Sequence, residues 1–306
     1  MRTLAAYLAL TKPRLLPLVL FSGLPVFWMA SAGEGGWSLA LATLVGTLLA
    51  AGAANTLNSY LERESDALME RTAMRPLASG LLAPDRALAF GLALGAAGAG
   101  LLLVRAGVAA AGIAVAAILF YVFAYTLWLK PHSRFAVVLG GLSGAVAPLI
   151  ADAAIDGRVG APGLLLFAII FAWQPPHFYA IALYRRREYE RAGFQVLPSR
   201  IGDDATRARI VIWVLAGVIP VSLAAGLFTP LGGIYSLSAI ALGTWLGLES
   251  VALWRARRDA PGARRVFLVS LGYLGGLFTA MLIDLGCAGL GLSLPIAAAL
   301  PVPTGW

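Results

Sequence analysis

The chain has 306 residues, 60% of them hydrophobic and 12% charged, whereas a soluble domain carries about 25% charged residues. Apolar runs of about 18 residues or more recur along it, too long for core helices and too continuous for barrel strands, which excludes a water-soluble globule. The net charge of +8 reads as cytoplasmic loops beside anionic lipid rather than as a nucleic-acid surface, because no basic patch interleaved with aromatics lies in a polar segment.

In chain order, membrane spans are predicted over Leu15–Ala32, Trp37–Leu61, Ala87–Val104, Gly107–Leu129, Phe135–Ala151, Gly163–Tyr184, Ile210–Phe228, Ile234–Trp254 and Val266–Gly286. The expected fold is therefore all-α, a polytopic bundle of nine transmembrane helices forming a single membrane-embedded domain over residues 1–306. The first apolar run follows Lys12 and Arg14, has no convincing small-residue cleavage site, and reads as a span rather than a cleaved signal. The tail beyond Gly286, broken by Pro295, Pro301 and Pro303, reads as a surface-lying end. Cys287 is the lone cysteine, so an intrachain disulfide or a cysteine metal cluster is excluded. With the N-terminus in the cytoplasm, 21 of the 23 Lys and Arg fall inside and only Arg105 and Arg158 outside, the asymmetry expected of an inner-membrane protein.

Two long polar loops follow the second and sixth spans, about Glu62 to Arg86 and Arg185 to Arg209, and they suggest two related halves facing one central site. The small residues that fill the spans, such as the run Gly91–Gly100, read as close helix packing. In the first loop region Asn58, Glu62 and Asp66 are spaced i, i+4, i+8 and so share one helix face. Two acids and an amide on one face repel unless a cation sits among them, and oxygen-only ligands suit Mg²⁺. Arg71, Thr72 and Arg75 follow as donors for phosphate oxygens. The bland alternative is a solvated loop with surface ion pairs.

The second concentration runs from Trp173-Gln174-Pro175-Pro176-His177 through Arg185-Arg186-Arg187-Glu188 to Arg191. Two successive prolines should interrupt the helix and line a cavity. His177 has a structural reading, a hydrogen-bonded core histidine, and functional ones: porphyrin contact, haem-iron ligation or proton transfer. Glu188 is either a metal ligand or a partner of the neighbouring arginines. Lys12, Arg14 and Lys130 lie on the same side as both loops and either snorkel or converge on a metal-bridged diphosphate. Glu249 and Asp284 fall within spans, where carboxylates are functional suspects; helix-to-helix hydrogen bonding is preferred for both over a proton relay.

The segments Leu10-Thr11-Lys12-Pro13-Arg14, Asn58 through Thr72, Arg75-Pro76-Leu77, Tyr125 through Lys130, Gly140-Gly141, Pro175-Pro176-His177-Phe178, Ala192-Gly193 and Leu197-Pro198 resemble the protohaem IX farnesyltransferase (haem O synthase) family of UbiA-type membrane prenyltransferases. The resemblance implies a helical bundle around a central cavity and transfer of farnesyl from farnesyl diphosphate to a vinyl group of haem B. It implies Mg²⁺ as cofactor, held by Asn58, Glu62, Asp66 and Glu188 as the catalytic, metal-binding set. Lys12, Arg14, Arg71, Arg75 and Lys130 would bind the diphosphate, and His177 and Arg191 the haem. A haem A synthase or terminal oxidase assembly is a candidate docking partner. The chain departs from the family's usual Asp at Glu62, Glu64 and Glu188, has Ala136 where Asn is usual, and has Gln195-Val196 for a usual Pro-Met pair. Rival readings are prenyl transfer to an aromatic quinone precursor and, from another class, a membrane transporter.

Overall fold

The computed structural model describes residues 2–13, 16–30, 36–68, 72–130, 136–191, 196–256 and 260–292, and among these every regular element is helical. Among the described residues six helices are long and apolar enough to cross a bilayer, or seven when the pair 138–144 and 147–156, bent by 41°, is taken as one span. The nine expected spans exceed that number for two visible reasons. One 46-residue element, Pro84–Leu129, covers two of them, and the first lies on a helix of only 15 residues, Leu16–Ala30. The prolines of the expected surface tail lie outside the described residues.

The chain divides into two compact units, residues 1–27 with 34–163 and residues 28–33 with 164–306. The first holds α1 (Arg2–Leu10), most of α2 (Leu16–Ala30), α3 (Trp37–Leu61), the single turn α4 (Arg63–Ala67), α5 (Pro84–Leu119), a π-helical continuation over Phe120–Leu129, α6 (Ala136–Gly144) and α7 (Ala147–Asp156). Its core is α3 against the first arm of α5. A Cβ on Gly98 would stand 2.9 Å from both the Ala50 amide and the Gly46 carbonyl, and one on Gly46 would stand 2.7 Å from the Leu102 side chain. The two helices thus meet backbone to backbone, which is what the small residues are for. Gly107 has φ +88° and ψ 173°, a conformation other residues rarely adopt, and it breaks the long element into two arms.

α1 rests on this unit through Ala6 and Leu10, which pack with Leu77, Leu82, Ala87, Tyr7 and Tyr60. Leu4 and Leu8 on its other face are exposed. α7 ends at Gly157 in the left-handed region. The Asp152 carboxylate then accepts hydrogen bonds from the amides of Gly160 (2.6 Å) and Gly163 (3.1 Å), satisfying free donors at the next helix start.

The second unit holds most of α8 (Ala161–Tyr184), the short helices α9 (Arg186–Arg191) and α10 (Leu197–Ile201), α11 (Asp203–Trp213), a π-helical turn over Val214–Val218, α12 (Ile219–Phe228), α13 (Gly233–Arg255) and α14 (Ala260–Gly289). Contrary to expectation, α8 runs unbroken through Pro175 and Pro176. Proline fixes a helix-compatible φ and removes only its own donor, and a spanning helix bears that loss when neighbours surround it. The π turn precedes Pro220, whose missing amide would leave a carbonyl unpaired in a regular α-helix. The predicted polar loops are also shorter than expected: α4 occupies part of the first, and α9, α10 and the start of α11 order most of the second.

Both suspect carboxylates of this unit have structural partners. Asp284 on α14 is buried and accepts hydrogen bonds from the amides of Gly232, Ile234 (3.0 Å) and Tyr235 (3.4 Å) at the N-terminus of α13. Glu249 on α13 pairs with Arg265 on α14 at 2.5 Å. Tyr235 and Tyr273, both fully buried, converge on Ser222: the Tyr235 hydroxyl donates to the Ser222 carbonyl at 2.7 Å, and the Tyr273 hydroxyl meets the Ser222 hydroxyl at 2.5 Å.

Candidate active site

The acid motif survives the helix end because the backbone keeps helical pairing through it. The Glu62 amide donates to the Asn58 carbonyl at 2.9 Å and the Asp66 amide to the Glu62 carbonyl at 2.7 Å. Asn58, Glu62 and Asp66 therefore stack at successive turns, as their spacing predicts. Asn58 and Asp66 are each only 2% exposed.

Each member meets a basic or polar partner from elsewhere in the first unit. Lys12 Nζ donates to Asn58 Oδ1 at 3.0 Å. Lys130 Nζ donates to Glu62 Oε1 at 2.5 Å. Arg75 Nη1 donates to Asp66 Oδ2 at 2.6 Å. The like-charge repulsion within the motif is thus relieved here by Arg75 and Lys130. Three cations against two carboxylates leave the cluster one net positive charge. These contacts gather the turn after α1, the end of α3, the loop that carries Arg75 and the end of the second arm. Arg14 and Arg71 lie outside the described residues.

Supporting bonds hold these groups in place. Lys12 is the one described non-glycine residue at positive φ, +53°, a conformation that costs about 1–2 kcal/mol and persists where its surroundings demand it. The preceding carbonyl, of Thr11, accepts from Asn55 Nδ2 at 3.1 Å, which fixes the turn. Burial, and after it the Arg75 charge, pushes the Lys12 ammonium down to about 8. Thr72 Oγ1 donates to the Asp66 carbonyl at 2.8 Å and so ties the Arg75 loop to the motif.

Thr126 is a residue that sequence reasoning did not single out. It sits in the π-helical segment, and its hydroxyl donates to the Tyr121 carbonyl five residues back at 2.8 Å. With that proton committed, its oxygen accepts from Asn58 Nδ2 at 3.1 Å. The Asn58 amide is thereby oriented with Oδ1 toward Lys12. Tyr125 stacks on Tyr121 beside it, with centroids 5.3 Å apart. The motif Tyr125 through Lys130 signals the segment, but nothing in it signals the wide helical turn that aims the threonine.

In the second unit His177 is buried on α8. Its ring lies 4.3 Å from Trp173 and 4.6 Å from Phe267, and its Nδ1 is 2.8 Å from Ser270 Oγ. Glu188 is exposed and meets Arg185 at 3.3 Å. Arg191 is exposed at the end of α9. Arg186 ties this region together through Glu190 (2.7 Å) and Asp203 (2.9 Å), and Ser199 donates to Glu190 at 2.9 Å.

Among the described residues no three His, Cys, Asp or Glu side chains form a metal cage. Two carboxylates and an amide oxygen on one face are instead the partial, oxygen-only set that suits a hard cation sharing its shell with water and phosphate.

A cluster of acids and bases at one end of a bundle of apolar helices defines a membrane enzyme that handles a charged, polyanionic group beside an apolar one. Residues 16–272 match the UbiA prenyltransferase family, and the chain belongs to that family. Among its relatives, a protein of Symbiobacterium thermophilum named protoheme IX farnesyltransferase is 39% identical over 279 residues, covering 91% of this chain and 93% of that protein. One of the same name from Synechococcus elongatus is 43% identical over 299 residues, covering 96% and 93%. Among solved structures, a digeranylgeranylglyceryl phosphate synthase superposes with a TM-score of 0.79 at 18% identity, covering 93% of this chain and 99% of that one. A UbiA homologue from Archaeoglobus fulgidus, described as bound to DMAPP and Mg²⁺, gives 0.60 at 13%, covering 90% and 99%. At such identities these two speak for the fold, that of a multi-pass helical membrane protein.

Proposed function

We propose that this chain transfers the farnesyl group of farnesyl diphosphate to a vinyl group of protohaem IX (haem B), forming haem O. The observation that carries the reading is the cluster of Asn58, Glu62 and Asp66 with Lys12, Arg75 and Lys130. It stands in a chain whose relatives at about 40% identity bear the name protoheme IX farnesyltransferase. The family match runs through both compact units, which supports one prenyltransferase domain.

Asn58, Glu62 and Asp66 offer Mg²⁺ their oxygens, and Glu188 is proposed as a further ligand from the family's second acidic region. Bound Mg²⁺ neutralises charge on the diphosphate and makes it a better leaving group. Lys12, Arg75 and Lys130, with Arg14 and Arg71 alongside, bind phosphate oxygens. Their net positive charge favours an anion before any metal is counted. Breaking the C1–O bond leaves pyrophosphate and an allylic farnesyl cation. The vinyl π electrons form the new carbon–carbon bond, and water adds to the resulting carbocation beside the porphyrin. The proton of that water leaves to pyrophosphate or solvent. Apolar helices shield the cation from premature hydrolysis. The buried rings of Trp173 and Tyr179 are proposed for cation–π contact with the allylic cation, whereas the Tyr60 ring carries the Arg63 guanidinium 4.8 Å from its centroid.

His177 and Arg191 are proposed to meet the haem, the latter at a propionate. The excess of Lys and Arg in alternate loops supports an N-terminus and site on the cytoplasmic side of the inner membrane. Docking with haem A synthase or a terminal oxidase assembly belongs to the same proposal, because a farnesylated haem is too apolar to leave the bilayer freely.

Mass spectrometry of haem extracted after incubation with haem B, farnesyl diphosphate and Mg²⁺ tests the reading. Haem heavier by one farnesyl group and one hydroxyl is expected. Unmodified haem alongside a prenylated hydroxybenzoate in a parallel incubation would move the activity to an aromatic acceptor.

A further inference from the structure

His177 is held in an arrangement that decides which of its nitrogens carries a proton. Ser270 on α14 is buried, and its hydroxyl donates to the Phe267 carbonyl at 2.7 Å. A carbonyl has no proton to give, so the single hydroxyl proton is committed there. The same oxygen lies 2.8 Å from His177 Nδ1. Two acceptors would repel at that distance, so the proton between them belongs to Nδ1. The neutral ring then has its other nitrogen, Nε2, unprotonated.

Aromatic rings crowd the imidazole and favour an approach along its edge. Trp173 lies against the imidazole at a centroid distance of 4.3 Å and 27° tilt, and Phe267 at 4.6 Å and 32°. The stacked Trp173 ring covers one face of the imidazole and the tilted Phe267 ring crowds it from a second helix, which disfavours stacking of a porphyrin plane on it. Phe178 adds an edge contact at 5.5 Å. Ser270 also fixes the stacked partner, since its own carbonyl accepts from Trp173 Nε1 at 2.7 Å. One residue thus grips both members of the pair, the histidine by its side chain and the tryptophan by its backbone.

We propose that Ser270 is a positioning residue that locks His177 in the Nδ1–H tautomer, presenting the Nε2 lone pair edge-on as a ligand for haem iron rather than as a hydrogen-bond donor to a propionate. The ligand half of this statement rests on the haem-transferring reading above; the tautomer half does not. The logic is that of histidine metal ligands generally, whose second nitrogen is held by an acceptor that fixes the ring.

The chain has two histidines, so a His132→Asn background leaves His177 as the only imidazole. Full-length protein with ¹⁵N-histidine in lipid nanodiscs reports the tautomer directly. The Nδ1–H form is expected without haem, and a dominant Nε2–H form would overturn the proposal. In Ser270→Ala the lock is removed. A mixed tautomer population and haem B affinity weaker by about tenfold or more are expected, with restoration in Ser270→Thr. A Ser270→Ala protein with the parent's tautomer and affinity would remove Ser270 from the role. His177→Ala separates the two halves: an unchanged ferrous-haem spectrum and affinity in that variant would end the ligand role of His177 while leaving the tautomer result intact.

Discussion

Asp66→Asn should lower haem O formation by about 10²–10³-fold, the loss seen when one preorganised electrostatic group is removed from a transition state. The protein should still insert and melt close to the parent. Asparagine has the shape of aspartate and keeps one oxygen at a position only 2% exposed, so the packing that buries Asp66 survives. Its partner Arg75 keeps a third of its side chain exposed and can hold its charge in water. The substitution removes a full negative charge from a motif that has two carboxylates. Glu64→Gln is the matched control. The Glu64 side chain is 84% exposed and meets Arg63 at 3.0 Å, and a surface pair of that kind is worth about 0–1 kcal/mol. Turnover of the two variants, compared at equal amounts of folded protein, checks the contrast. Equal activities would remove Asp66 from the site.

The second large effect is on stability. Asp284→Ala should destabilise the protein by about 3 kcal/mol, with activity per folded molecule retained. The carboxylate accepts from three amides at the start of α13, where a helix leaves its first N–H groups unpaired. Hydrogen bonds to a charged group contribute about 1.5–3 kcal/mol, and a lost N-cap costs about 0.5–2 kcal/mol. Alanine also leaves these donors, one buried and two half-buried, without that acceptor. A thermal melt in detergent, with residual farnesyl transfer measured on the soluble fraction, separates this outcome from a proton-relay role. A relay carboxylate would lose turnover without losing its melting point.

These two carboxylates also show what was legible in the sequence. Asp66 could be read because its relation to Asn58 and Glu62 is local: a spacing of four on a helix fixes a shared face whatever the rest of the chain does. Asp284 could be flagged only as an acid inside an apolar run. Its purpose depends on where another helix, fifty residues earlier, begins. The same division runs through the fold. Long apolar runs announced the helices, and the Gly91–Gly100 stretch announced a close approach. The continuous α8 was misjudged, because the proline rule describes an isolated helix and the neighbours that compensate are distant in sequence. Thr126 and Ser270 escaped for a related reason. Each acts by committing its one proton to its own helix and then accepting from a residue 68 or 93 positions away, and no periodicity encodes such a partner. The basic residues Lys12, Arg75 and Lys130 were legible as candidates from the side of the membrane that the charge pattern predicts for them, but their pairing one to one with the acid motif was not.

The central claim is that this acid motif engages a diphosphate through a divalent cation. Its most direct measurement is the affinity of purified protein for the unreactive farnesyl S-thiolodiphosphate, with Mg²⁺ and with a chelator. The account predicts binding tighter with Mg²⁺ by at least about tenfold, a difference of about 1.4 kcal/mol, and loss of that difference in Asp66→Asn. Equal affinity with and without the metal in the parent protein would contradict it.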